Sequence, residues 1–255
     1  MGLRVLAPTG SGKTTAALAY MAGVEARRPR TKTFVPVIKV DLERHSTSRK
    51  LMMSILFALG DPFFDRGNEL TLKRRVLEYF ILLQTELLIV DEVQHLNYRN
   101  GLKNDVTDTL KGLLDAGVIP IVFLGTEEAA QMFGRNLQLN GRLLPPCDLN
   151  PLNARSATDR DLFARFVRKL EEVVVAQGVL PELSTLEADG ALPALFEVSG
   201  GVIGRVSRIF QVALEVAIRR QGHRLEVSDL SWAFDHWAVP QAFVEHNPLK
   251  RSGCG

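Results

Sequence analysis

The chain has 255 residues and a mass of 28.3 kDa, with 46% hydrophobic and 24% charged residues. This balance fits one large domain, or one domain with a small appendage, and excludes disorder and fibrous repeats. Lysine and arginine number 31 against 29 acidic residues, a net charge of +2, which excludes nucleic-acid binding by bulk charge but leaves room for a local basic face. The 2 cysteines, Cys147 and Cys254, lie far apart and exclude a disulfide framework or a zinc site. No apolar run is long enough to span a bilayer and no signal peptide precedes the first strand, so no membrane association and a cytoplasmic location are expected.

In chain order, strand and helix patterns alternate. Leu3–Leu6 predicts a short strand, followed by a glycine-rich loop and an alanine-rich helix from about Lys13 to Glu25. Thr33–Val40 predicts strand two, Ser46-Thr47-Ser48 caps a helix carrying Leu51, Met52, Ile55, Leu56 and Leu59, and another helix runs from Glu69 to Leu83. Leu87–Val90 is a continuous apolar run, as in a strand buried on both faces of a parallel sheet. A helix over Asn104–Ala116, a strand over Ile119–Leu124 and a weaker strand over Leu143–Leu149, interrupted by Pro145-Pro146, complete an α/β pattern. From about Ala157 the pattern is helical only, over Asp161–Ala176, Leu183–Val198, Arg205–Arg220 and Ser228–Trp237. The expected organisation is a parallel sheet flanked by helices over 1–152, a smaller helical domain over 153–240 and a tail over 241–255, with the hinge at Pro151-Leu152-Asn153-Ala154.

Chemistry concentrates in five places. Ala7-Pro8-Thr9-Gly10-Ser11-Gly12-Lys13-Thr14-Thr15 lies between a strand and a helix, the context of a phosphate-binding loop. Its backbone N–H groups would cradle phosphates, Lys13 would reach the β- and γ-phosphates of ATP, and Thr14 would hold Mg²⁺. Ala7 stands where the usual pattern has its first glycine. Asp91-Glu92 ends the apolar strand at the carboxyl edge of the sheet, Asp91 serving the Mg²⁺ shell and Glu92 polarising the attacking water as general base. Thr126, after strand Ile119–Leu124, would place its hydroxyl near the γ-phosphate, or else cap the next helix. Arg135 and Arg142 follow that helix; a guanidinium reaching a neighbouring subunit's γ-phosphate is one role, better suited to Arg142, and a solvated surface arginine the other. Ser199-Gly200-Gly201-Val202-Ile203-Gly204-Arg205 opens a helix in the second domain: Gly204 and Arg205 would pack on the nucleotide, or the segment is a tight turn with an exposed arginine.

Together these elements resemble AAA+ ATPases, most closely the transposition regulators of the TniB family and their relatives TnsC and MuB. The resemblance is carried by Ala58-Leu59-Gly60-Asp61-Pro62, Asp91-Glu92-Val93-Gln94-His95-Leu96, Ile121–Thr126 and Gly200–Arg208, most specifically by Asp-Glu-x-Gln-His, and weakly by Asn247-Pro248-Leu249. It implies an AAA+ domain with a helical lid, and an ATP-dependent homo-oligomer, ring or helical filament. Such an oligomer assembles on double-stranded DNA without strong sequence preference and recruits or activates a DDE transposase, with a target-selection protein as a further partner. Gln94 and His95 would relay between nucleotide and DNA or a neighbour, or simply pack and cap. Members of that family usually carry tens of residues before this strand, whereas Met1 is almost on it; either a misassigned start or a shortened form is expected. The alternatives are an ExeA-like secretion ATPase or an initiator-type loader on the same fold, a P-loop metabolite kinase, and a nucleotide-binding protein that hydrolyses nothing. Candidate DNA contacts are Arg49 and Lys50, Lys73-Arg74-Arg75, and Arg99 with Lys103, against their reading as solvated helix faces. No helix-turn-helix or zinc motif supports base-specific reading.

Overall fold

Four short apolar runs pair into one parallel sheet: β1 (Gly2–Leu6), β2 (Val37–Asp41), β3 (Leu87–Asp91) and β4 (Ile121–Gly125), in the order β1-β4-β3-β2. The computed structural model describes residues 1–44, 46–95 and 105–251, with the backbone alone at 105, 135 and 251. Two compact units divide the chain, Met1–Leu149 and Asn150–Gly255.

In the first unit, the period-2 alternation of strand side chains feeds two cores. Leu6, Ile38, Val40, Leu88, Val90, Ile121 and Phe123 join the larger core. It is covered by residues of α2 (Ser48–Leu59), α3 (Glu69–Leu82), α4 (Asp105–Asp115), α5 (Ala129–Arg135) and α6 (Leu137–Asn140). Val37, Ile89 and Leu124 meet Ala17 and Val24 of α1 (Lys13–Arg27) in the smaller one. The Thr47 hydroxyl caps α2 by accepting from the Lys50 N–H at 3.2 Å, and Asn68 caps α3 by accepting from the Thr71 N–H at 2.9 Å. The register sets Leu6 beside Gly125 and Asp41 beside Asp91. The loops that leave β1, β3 and β4 therefore emerge along one edge, the carboxyl end of the sheet.

Beside a start of β4 at Ile121 rather than Ile119, two strands differ more from the sequence expectation, and proline explains both. Strand two begins at Val37, not Thr33. Pro36 has no N–H to give a ladder, and its carbonyl instead accepts from the Glu86 and Leu87 N–H groups at 2.8 and 3.1 Å. The weaker strand over 143–149 forms a single bridge, Gly2 to Leu143, yet it runs along β1 throughout. The N–H groups of Leu144, Cys147 and Leu149 donate to the carbonyls of Gly2, Arg4 and Leu6 at 2.8, 3.0 and 2.9 Å. An even ladder would need a donor at 146, which is proline, so the spacing jumps by one residue as in a bulge.

The second unit packs α7 (Ala157–Ala176), α8 (Leu192–Ser199), α9 (Ile203–Arg219) and α10 (Val227–Ala233) around Phe163, Leu195, Val206, Phe210, Ala213 and Phe234. The helix expected from Leu183 starts only at Leu192. Ahead of it Thr185 donates its hydroxyl to the Asp189 carboxylate at 2.5 Å, Gly190 sits at φ 70, and Pro193 opens the helix. Arg220 makes a bidentate pair with the buried Asp229 carboxylate, two bonds of 2.8 Å, at the capping box of α10. Asn247 ties the following chain to this unit, its side-chain N–H₂ donating to the Ser231 carbonyl at 2.9 Å and to Asp235 at 3.1 Å before α11 (Pro248–Arg251).

Gly200 and Gly201 have a structural reason. Gly200, at φ 59, ends α8 in the left-handed conformation. Gly201, at φ 73, lies so close to Leu152 that a Cβ would meet its carbonyl oxygen at 2.1 Å. Gly201→Ala is therefore expected to destabilise the second unit by about 3 kcal/mol, combining positive-φ strain with the clash. Urea unfolding should show this as a lower midpoint at unchanged slope, and an unshifted midpoint would refute the close approach.

Candidate nucleotide site

The loop between β1 and α1 turns on two glycines, Gly10 at φ 81 and Gly12 at φ 90, and a Cβ on either would meet nothing within 4 Å. Gly12 is the N-cap of α1 and offers no side-chain cap, so the first N–H groups of the helix are free of side-chain competition. Thr9, Gly10, Ser11, Gly12, Lys13, Thr14 and Thr15 line a cleft of about 250 Å³ together with Glu92 and Thr126. Pro8 takes part through its carbonyl: the Lys13 ammonium donates to the carbonyls of Ala7 at 2.7 Å and Pro8 at 3.0 Å. Burial pushes the Lys13 pKa down from its usual value, while the Asp91 and Glu92 carboxylates pull the other way.

Asp91 is 1% exposed and ends β3. Its Oδ2 accepts from the Thr14 hydroxyl at 2.8 Å and pairs with the Lys39 ammonium at 3.2 Å, and its Oδ1 accepts from the Glu92 N–H at 2.8 Å. Thr14 and Asp91, expected from the sequence to serve one metal ion, are thus in direct contact. Hard oxygen donors of this kind suit Mg²⁺, which keeps most of its water and takes only one or two protein ligands. The Thr126 hydroxyl, in the same cleft, is buried with no hydrogen-bond partner among the described residues. Open space before two glycines, a hydroxyl–carboxylate pair and a buried hydroxyl unpaired among the described residues all fit a nucleoside triphosphate with its magnesium.

Sequence reasoning missed Lys39. Its ammonium bridges Asp91 and Asp41, and its side chain is 9% exposed. Burial works against its charge, but hydrogen bonds to Asp41 and Asp91 outweigh it and raise the pKa. The signal was present: a lone lysine inside Val37-Ile38-Lys39-Val40 needs a carboxylate, and the neighbouring strand ends in one.

After Glu92 a short 3-10 turn, Val93–His95, carries two further contacts. The Gln94 side-chain N–H₂ donates to the Glu92 carboxylate, and Gln94 Oε1 accepts from the Thr126 N–H at 3.0 Å. His95 Nδ1 lies 2.9 Å from the Leu42 carbonyl, which can only accept, so the proton is on Nδ1.

The other expected residues are not among the described residues that line this cleft. Arg142 pairs with Asp115 and donates to the Gln138 carbonyl. The Arg135 side chain, and Arg99 and Lys103 entirely, lie outside the described residues. Arg205 belongs to the second unit, where its guanidinium sits 4.4 Å from the Phe243 ring centroid; Gly204 precedes it in α9. Among the basic clusters, Arg49 donates to the Asp65 carbonyl at 2.8 Å, Lys50 pairs with Glu43 at 3.5 Å and Arg74 with Glu78 at 3.3 Å, all at the surface. Lys73 lies against Gly112 of α4. Arg75 is not a free cation: it pairs with the buried Asp61 and donates to the Phe63 and Arg66 carbonyls, holding the turn between α2 and α3.

The parallel sheet, its flanking helices and the loop that opens α1 define an AAA+ P-loop ATPase fold, and solved structures agree. The ORC2 protein of Aeropyrum pernix, in ADPNP and ADP complexes, superposes with a TM-score of 0.66 at 15% identity, over 92% of this chain and 61% of that one. The ORC1 protein of the same organism, in complex with DNA, gives 0.59 at 19% identity, over 92% and 58%. The RuvB Holliday junction branch migration motor of Thermotoga maritima gives 0.54 at 13% identity, over 98% and 65%. The chain thus spans about three fifths of the length of these relatives. No curated protein matches it. The model of the bacterial TniB protein matches residues 1–148, and the chain belongs to the TniB family. Among the described residues, no helix is long and apolar enough to cross a membrane.

Lys39→Met is expected to lower stability by about 3 kcal/mol in urea unfolding, because it strips a buried carboxylate of its counter-ion. Lys39→Arg should recover most of the loss; equal stability of the Met variant would mean that Asp91 needs no ammonium.

Proposed function

We propose that the chain is a Mg²⁺-dependent ATPase that assembles on double-stranded DNA in its ATP state and serves transposition by recruiting or activating a DDE transposase. One observation carries the ATPase reading: a single cleft joins the glycine-rich loop, Glu92 and Thr126, and Thr14 in its lining bonds the buried Asp91. The family membership carries the transposition reading.

In this reading the loop N–H groups and Lys13 bind the β- and γ-phosphates of ATP. Thr14 and Asp91 hold the magnesium ion, which supplies charge neutralisation along the phosphates when bound. The Glu92 carboxylate takes a proton from the water that attacks the γ-phosphorus, the bond to the β–γ bridging oxygen breaks, and ADP leaves with that oxygen. The Thr126 hydroxyl donates to the γ-phosphate. Arg142 serves a neighbouring subunit's phosphate, and Gly204 and Arg205 keep the nucleotide role read from their glycine-rich helix start. Of the candidate DNA contacts among the described residues, Arg49, Lys50 and Arg74 are exposed and would face DNA phosphates. The transposase, and any target-selection protein, would meet the DNA-bound homo-oligomer.

The test is co-sedimentation with duplex DNA in the presence of a non-hydrolysable ATP analogue, ADP or no nucleotide. Large DNA-bound assemblies are expected only with the analogue, weakening steeply with added salt as phosphate contacts require. Glu92→Gln should cut turnover by at least about 100-fold and give the same assemblies with ATP itself. Absence of DNA dependence in every nucleotide state would shift the reading to a secretion-type ATPase, and unchanged turnover in the Glu92 variant would remove the general base.

A further inference from the structure

We propose that Gln94 is a positioning residue for ATP hydrolysis: its amide clamps the Glu92 carboxylate to the backbone of Thr126 and so fixes the base against the turn that carries the unpaired hydroxyl. The inference rests on Glu92 being the base.

Both ends of the Gln94 amide are used. Nε2 donates to Glu92 Oε2, and Oε1 accepts from the Thr126 N–H at 3.0 Å. The reverse orientation would set oxygen against carboxylate and N–H₂ against N–H, so these two partners alone decide which way the amide points. Glu92 and Thr126 line the cleft, and Gln94 is not among its lining residues. In this proposal Gln94 acts on the substrate through these two partners.

The backbone supports the same reading. Glu92 has φ 59, a left-handed conformation that a non-glycine residue adopts only when its surroundings hold it. They do: the Glu92 N–H donates to Asp91 Oδ1 at 2.8 Å, its carbonyl accepts from the His95 N–H at 2.9 Å, and its carboxylate is held by Gln94. Space for the amide depends on Gly125, where a Cβ would lie 2.6 Å from Val93 Cγ2 and 3.0 Å from Gln94 Oε1. A strained base, a glycine that makes room and an amide with both ends paired describe a carboxylate held in one place. Released from Gln94, it would sweep several rotamers, and a displacement of about 1 Å from the attacking water is enough to cost two orders of magnitude in rate.

The experiment measures ATP turnover with duplex DNA present for the natural chain, Glu92→Gln, Gln94→Met, Gln94→Glu and the double variant Glu92→Gln/Gln94→Met. Gln94→Met removes both bonds at similar volume. Gln94→Glu keeps an acceptor for the Thr126 N–H but loses the donor to Glu92, and it decides the matter should the Met variant fail to fold. Both are expected to lower kcat by about 10- to 100-fold with KM for ATP within about threefold, since the phosphate loop is untouched. In the Glu92→Gln background the Gln94→Met change should have no further effect, because a residue acting through the base has nothing left to act on. A structural role would instead reduce the rate by the same factor in both backgrounds, and that result, or unchanged kcat in the Gln94 variants, overturns the proposal. If Glu92→Gln itself leaves turnover intact, the assignment of the base fails and the role of Gln94 falls with it. Loss of turnover in Glu92→Gln beside full activity in both Gln94 variants sinks this inference alone.

Discussion

A buried carboxylate that must be neutralised organises the first unit. Asp91 is 1% exposed at the end of β3, and an unpaired carboxylate there would cost several kcal/mol. Three groups prevent that: the Thr14 hydroxyl from α1, the Lys39 ammonium from β2 and the Glu92 N–H from its own chain. The phosphate loop is tied to β3 through Thr14, and β2 is tied to it through Lys39. One charge thereby ties three segments together, with Thr14 and Lys39 meeting at the same oxygen, Oδ2.

This pairing also explains why Lys39 spans two carboxylates. Asp41 stands beside Asp91 in the β2–β3 register, so two negative side chains end adjacent strands. Without a cation between them they would repel at short range and in partial burial. The lysine between them makes the pair tolerable.

The phosphate loop, the Asp91-Glu92 pair and Thr126 were legible in the sequence because each follows directly from a strand that ends at the same edge, and apolar strands are easy to place. Lys39 and Gln94 were harder for different reasons. Lys39 is local to β2, but its purpose depends on which strand lies beside it, and strand order is not written in composition. Gln94 stood out by its position after the acidic pair, yet its two partners are fixed only once β4 brings Gly125 and Thr126 alongside the 3-10 turn. The same limit applied to glycines in the second unit. Gly200-Gly201 carries no sequence sign that a Cβ at 201 would meet the Leu152 carbonyl oxygen, which only the folded backbone shows. Proline was a local signal that outweighed propensity: Pro36 shortens strand two, and Pro145-Pro146 reduce a full edge strand to a bulged one.

The position of Arg142 bears on how such a site would be completed. Its carbonyl accepts from the Gly2 N–H at 3.0 Å, which puts its backbone at the amino end of β1, while the phosphate loop leaves the carboxyl end after Leu6. A strand advances about 3.3 Å per residue, so the length of β1 separates this arginine from Lys13 of the same chain, further than a side chain extends. Service to a γ-phosphate from Arg142 is therefore possible only in trans, between copies. Its in-chain partner Asp115 is solvent-exposed, and an ion pair in that setting adds little to stability. Exchanging Asp115 for a neighbour's phosphate would cost the chain correspondingly little, so the proposed assembly need not work against the fold to draw the arginine out. Under mass action, ATP bound at such a contact favours the assembled state by its preference for that state over the free subunit, and hydrolysis withdraws that preference. In the proposed assembly the arginine would make nucleotide state and subunit contact one equilibrium rather than two.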